Sequence, residues 1–112
     1  MKLTLPLPPS VNSYWRIFKN RILLSREARQ YKLGALMRAK TDGHTPLTGD
    51  VVVNLCVYRK RRIGDLDNFF KATLDALKGV AFEDDSQVVE IHAHRMDDAA
   101  NPRVEVRVER AE

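Results

Sequence analysis

The amino-acid sequence predicts an α+β fold, a single domain over residues 1–112 with a mixed or mostly antiparallel sheet and two helices. Three observations predict it. Residues 51–58 form a near-continuous apolar run, two later segments alternate apolar and polar residues with a period of two, and two other stretches return apolar residues every third or fourth position. No internal repeat, low-complexity tract or shift in composition divides the chain.

Leu3, Leu5 and Leu7 alternate with Lys2, Thr4 and Pro6, which reads as a short strand that Pro6 confines to a sheet edge or a strand end. Pro8, Pro9 and Ser10 end it. Residues 11–20 carry no clean period and read as a loop, and Ile22, Leu23 and Leu24 as a brief second strand. Ser25 is a suitable N-cap for a helix over residues 26–40 that turns Ala28, Tyr31, Ala35 and Leu36 inward. Residues 41–49 read as a loop. Val51, Val53, Leu55 and Val57 share one face of the next strand, with Val52, Asn54, Cys56 and Tyr58 on the other, the pattern of a central strand.

Leu66, Phe69, Phe70, Thr73, Leu74 and Leu77 follow the i, i+3, i+4, i+7 rule, so a helix is expected over residues 65–78, ended by Gly79. Val89, Ile91 and Ala93 then alternate with Glu90, His92 and His94. Val104, Val106 and Val108 alternate with Arg103, Glu105, Arg107 and Glu109. These read as two one-sided strands, joined by residues 96–102 as a long hairpin loop.

A chain of 112 residues buries a smaller share of its surface than a large domain, so a partner subunit is a natural source of further apolar burial. No apolar stretch approaches the roughly 20 residues that span a bilayer. The N-terminus breaks at Pro6 before the apolar core of a signal peptide forms. Cys56, the single cysteine, has no internal disulfide partner and reads as a small buried hydrophobe. Together these point to a cytoplasmic protein without a membrane segment.

The formal charge of +4 and a pI of about 9.5 favour polyanionic partners. Arg59, Lys60, Arg61 and Arg62 form a solid basic run suited to phosphates, and Glu83, Asp84 and Asp85 a solid acidic one. Taken alone, either run also fits a solvated surface segment.

Asp65 and Asp67 stand where the basic strand end gives way to a helix N-terminus, so a metal held there lies beside phosphate-binding arginines. The same placement suits an N-cap and a first-turn acid interacting with the helix dipole. Lys71 follows Asp67 by one turn on the same face, opposite Leu66, Phe70 and Leu74; it reads either as an exposed ion pair or as a cation held over a metal-bound phosphate. Asp85 precedes the strand that starts near Val88. Whether it meets Asp65 and Asp67 depends on the connection running back along the helix, about 20 Å long at 1.5 Å per residue.

Three converging carboxylates on a basic surface are electrostatically poor without a cation, and hard oxygen donors suit Mg²⁺ or Mn²⁺. Zinc spacing is missing, as are a Gly-rich phosphate loop, a nucleophile elbow and any sign of an organic cofactor. His92 and His94 share a strand face and read as solvated surface residues.

Pro8-Pro9-Ser10-Val11-Asn12, the segment from Ser25 to Tyr31, Arg62-Ile63-Gly64-Asp65-Leu66-Asp67-Asn68 with Lys71, and Asp84-Asp85-Ser86-Gln87-Val88 together resemble the RusA family of Holliday-junction resolvases along nearly the whole chain. The Asp-Leu-Asp-Asn element followed about twenty residues later by Asp-Asp-x-Gln-Val is the specific part of the likeness. The resemblance implies a RusA-like fold, a metal-binding catalytic set of Asp65, Asp67 and Asp85 with Lys71 as helper, and dependence on Mg²⁺ or Mn²⁺. It also implies an intertwined homodimer making paired cuts across branched DNA during recombination and repair. Ile63 and Gly64 interrupt the basic stretch where relatives can carry arginine. Asn12 and Tyr14 also look like family positions, and Tyr14 and Trp15 fit core packing better than base stacking. The competing readings are a non-catalytic DNA-binding protein and a metal-dependent phosphodiesterase of another nucleic acid. Intact acidic positions speak against the first, because each carboxylate repels phosphate unless a cation is present.

Overall fold

The computed structural model of the chain describes residues 1–9, 15–18, 21–60 and 66–111, with the backbone alone for 15–18, 21–24 and 66–68. In chain order the elements are β1 (Lys2–Leu5), β2 (Trp15–Phe18), β3 (Arg21–Leu24), α1 (Arg26–Thr41), β4 (Val51–Arg59), α2 (Leu66–Leu77), a 3₁₀ turn (Asp85–Gln87), β5 (Val88–Asp97) and β6 (Arg103–Arg110). β1, β6, β4 and β5 form a four-stranded sheet in that order, and β2 and β3 a separate hairpin. The sheet is mixed: β6 runs antiparallel to both β1 and β4, whereas β5 runs parallel to β4. Among the described residues, two helices on a mixed sheet make the α+β arrangement expected from the periodicities.

Two expectations about connectivity are corrected. Residues 15–18 pair with residues 21–24 as a hairpin and are not loop. β5 and β6 do not form a hairpin; β4 lies between them. The connection after β5 passes over the end of β4, where the Asp98 amide donates to the Arg59 carbonyl at 2.8 Å. Asp98 also accepts from Arg103 Nη1 at 2.9 Å and from the Asn101 amide at 3.1 Å. The Arg103 bond holds the Asp98 carboxyl below its usual range.

β4 takes the centre because both of its faces carry residues that tolerate burial. Val51, Val53, Leu55 and Val57 are buried, and its other face is half-buried. Val104, Val106 and Val108 of β6 and Leu3 and Leu5 of β1 extend the same apolar surface. Small side chains let the helices approach it closely: Ala28, Ala35 and Ala39 of α1 and Ala72 and Ala76 of α2 are all buried. Phe82, in the connection after α2, is a large and wholly buried side chain. Cys56 is half-buried on the opposite, uncovered face, so it is less enclosed than its apolar run suggested.

The helix boundaries follow local chemistry. Ser25 is buried, and its Oγ accepts from the Ala28 amide at 3.1 Å, satisfying one of the orphan donors of α1. Ser25→Ala is expected to cost about 1 kcal/mol, measured as a lowered urea midpoint with an unchanged slope. Gly79, at φ +81°, adopts the left-handed conformation just beyond α2 that a side chain would strain.

α2 is rotated relative to expectation. Ala72, Thr73, Ala76 and Leu77 are its buried face, while Phe70 and Leu74 are only half-buried at its flank. β5 departs from simple alternation because Val51 pairs with Val88 but Val52 with Glu90, so Val89 is an extra residue in the ladder. Among the described residues, no helix is long and apolar enough to cross a membrane.

Candidate active site

The parallel pairing of β4 with β5 requires a crossover, and α2 supplies it. The connection after α2 is pinned where the Leu47 amide donates to the Ala81 carbonyl at 2.8 Å, and the chain then turns into the 3₁₀ segment that opens β5. The chain thereby returns alongside α2 as far as the level of Lys71. Asp85 lines a groove of about 420 Å³ together with Phe70, Lys71, Leu74 and Asp75 of α2 and Val88 and Ile91 of β5.

The groove has an apolar floor and a charged rim. Lys71 is exposed and borders Phe70 and Leu74, so it does not lie on the side away from the apolar residues as expected. One helical turn separates it from Asp67, whose backbone stands in the first turn of α2. Asp75 accepts from Lys32 of α1 in an ion pair at 3.6 Å, and Lys32 Nζ also donates to the Asp75 carbonyl at 2.8 Å. This holds the two helices together beside the groove.

The acidic turn divides its work between neighbours. The Asp84 side chain caps the turn by accepting from the Ser86 amide at 3.3 Å. Asp85 is exposed, and its carboxylate accepts no hydrogen bond and joins no ion pair with a described residue. A hard cation needs such an oxygen donor, and neither thiol nor imidazole lines the groove. Asp65 and the side chain of Asp67 lie outside the described residues. Accordingly, among the described residues no three acidic, histidine or cysteine side chains group to hold a metal ion.

The basic run does not act as one surface. Arg59 continues the inward parity of Val51 to Val57 and is only 7% exposed; its Nη2 and Nε both reach Asp97 Oδ1, at 3.0 and 3.2 Å. Its guanidinium is thus engaged in closing the end of β4 and β5, which removes it from the expected phosphate-binding set. Lys60 is exposed. Arg61 and Arg62 lie outside the described residues, as do Asn12 and Tyr14 and the side chain of Trp15. His92 and His94 are exposed on the uncovered face of the sheet, His92 lying 3.8 Å from Glu90.

Sequence reasoning missed Asp75, Val88 and Ile91 as groove residues and gave Gln87 no task. A signal for Gln87 was available: an acidic residue followed three positions later by Gln is the spacing of a capping box.

The chain matches the family model for endodeoxyribonuclease RusA over residues 6–109. It is 33% identical to a crossover junction endodeoxyribonuclease RusA of Shigella sonnei (strain Ss046), over 95% of this chain and 91% of that protein. It is 34% identical to a crossover junction endodeoxyribonuclease of Enterobacteria phage 82 over the same shares. A relative from Enterobacteria phage HK97 is 33% identical over 84% of this chain and 81% of its own length. With likeness along nearly all of its length, the chain belongs to the RusA family of endodeoxyribonucleases.

Proposed function

We propose that this chain resolves four-way DNA junctions in recombination and repair by paired phosphodiester cuts, with Asp65, Asp67 and Asp85 holding Mg²⁺ or Mn²⁺ and Lys71 beside them. The observation that carries the proposal is the groove shared by Asp85 and Lys71, one helical turn from Asp67. The relatives named as crossover junction endodeoxyribonucleases supply the substrate class.

The residues divide the chemistry in a simple way. Asp85 offers exposed carboxylate oxygens that bond no described residue, and the two aspartates at the start of α2 complete a hard donor set. A divalent ion held by these carboxylates would supply activation of water and stabilisation of the leaving oxygen in an in-line displacement. Lys71 presents its ammonium along the same groove, where it offsets negative charge growing on the phosphate. Lys60, Arg61 and Arg62 bring the DNA backbone to this end of α2 without reading its sequence.

A homodimer fits the same reading. Among the described residues β5 is an edge strand of ten residues with one sheet neighbour, and Val89, Ile91 and Met96 on it are 51%, 41% and 51% exposed. Exposed apolar side chains on an edge strand are a ready surface for a second copy. Two copies also provide the two cuts that one junction needs.

A labelled synthetic four-way junction, incubated beside matched linear duplex with and without Mg²⁺, tests the function. Cutting of the junction alone, and only with metal, is expected. Binding without cutting under every metal condition would leave a DNA-binding protein, and equal cutting of duplex would remove junction selectivity. Replacing Arg61 and Arg62 together with Ala is expected to weaken junction and duplex binding alike. Each lost phosphate contact should lower the magnitude of the slope of log K against log salt by about 0.9. An unchanged slope would show that these side chains do not touch DNA.

A further inference from the structure

We infer that Gln87 is the positioning residue that sets Asp85 in the groove, by locking the acidic turn onto the loop that leads into β4; this rests on the reading of Asp85 as a metal ligand. A primary amide has two N–H donors and a carbonyl with two lone pairs, and Gln87 uses all four. Its Nε2 donates to the carbonyls of Leu47 at 2.9 Å and Gly49 at 2.8 Å. Its Oε1 accepts from the amides of Glu83 at 2.8 Å and Asp84 at 3.0 Å.

One side chain thereby joins two backbone segments that lie some forty residues apart in sequence, each at atoms outside the main sheet ladder. The turn closes on itself as well. The Gln87 amide donates to the Asp84 carbonyl at 3.0 Å, and the Val88 amide donates to the Asp85 carbonyl. The backbone on both sides of Asp85 is therefore fixed, while its carboxylate stays exposed and bonds no described residue. Asp84 spends its carboxylate on the cap, so the bonding pattern separates the two acids: one builds the turn, and the other is presented by it.

Residues that orient metal ligands without touching the ion typically set metal affinity by a factor of about 10 to 100. A merely structural Gln87 would lower the melting temperature and leave the metal affinity of the folded protein alone. The two roles thus predict different results.

The test titrates the full chain with MnCl₂ in a calorimeter and follows its melting temperature in parallel. Gln87→Met keeps the length of the side chain and loses all four bonds; Gln87→Asn keeps the amide but is one methylene too short to reach both segments, and is read in the same way should the first variant fail to fold. Ser25→Ala serves as a comparator destabilised at a distance from the groove, and Asp85→Asn removes the ligand itself. The expected result is about a 10- to 100-fold loss of Mn²⁺ affinity for the Gln87 variants, unaltered affinity for Ser25→Ala, and junction cutting that recovers for the Gln87 variants when Mn²⁺ is raised to saturation. Unaltered Mn²⁺ affinity in a folded Gln87 variant, with affinity lost in Asp85→Asn, would overturn the positioning role and leave the ligand reading standing. Unaltered affinity in Asp85→Asn as well would overturn both.

Discussion

Asp85→Asn is expected to reduce junction cutting on the order of 10⁴-fold, the scale of loss when one member of a catalytic unit that acts as a whole is removed. Asn keeps the shape of the side chain and one oxygen, but withdraws the negative charge that retains a hard divalent ion. Stability should hardly change, because Asp85 is exposed and bonds no described residue, and surface substitutions of that kind stay within about 0.5 kcal/mol. Junction affinity measured without metal should hold or rise, since one source of repulsion from phosphate is gone. Asp67→Asn and Asp65→Asn are expected to behave in the same way. Asp84→Asn provides the contrast: its task is the cap, Asn caps as well as Asp, and cutting should persist. Full activity in Asp85→Asn would remove that residue from the site, and loss of both cutting and fold would point to a structural acid.

Lys71→Ala is expected to lower turnover at saturating junction by about 10²- to 10³-fold, the effect of deleting one preorganised donor that stabilises growing charge. The lysine is exposed and joins no ion pair with a described side chain, so the melting temperature should move little. Its stem borders Phe70 and Leu74, and Ala retains only part of that cover. Lys71→Arg restores the charge with a planar, wider head and should recover only part of the rate. Near-normal turnover in a well-folded Lys71→Ala protein would end the catalytic assignment and leave Lys71 as a surface residue.

Legibility in the sequence followed the range of the forces involved. The cap at Ser25, the end of α2 at Gly79 and the one-sided pattern of β6 are set within a few residues, and periodicity exposes them. Strand neighbours are not set locally. Alternation identifies β5 and β6 as strands but does not say that β4, apolar enough to be covered on both sides, separates them. The hairpin of β2 and β3 escaped because Trp15 to Phe18 carries no alternation, although Lys19 and Asn20 between two short runs form a turn-length gap with a turn-forming residue.

The site shows the same division. Asp65, Asp67, Lys71 and Asp85 stand out in the sequence by residue type and order, whereas the sharing of one groove by Lys71 and Asp85 depends on how a crossover closes, which spacing does not encode. Arg59 was misjudged for a reason the sequence does contain. Strand parity carries Val51, Val53, Leu55 and Val57 inward, and the next odd position is the arginine. A basic run read as a unit hid that parity.

The pairing of β1 with β6 places Lys2 opposite Arg107 and Leu5 opposite Val104. Among the described residues β1 has one sheet neighbour, which lies about a hundred residues downstream, so β1 is made long before it can pair. Contacts that close so long a loop are slow to form. During synthesis β1 remains without a sheet partner, and β4, lacking β6, has Val53, Leu55 and Val57 covered from one side at most. A nascent chain that has not yet gained β6 consequently holds apolar strands open to water and to other chains, the condition in which aggregation competes with folding.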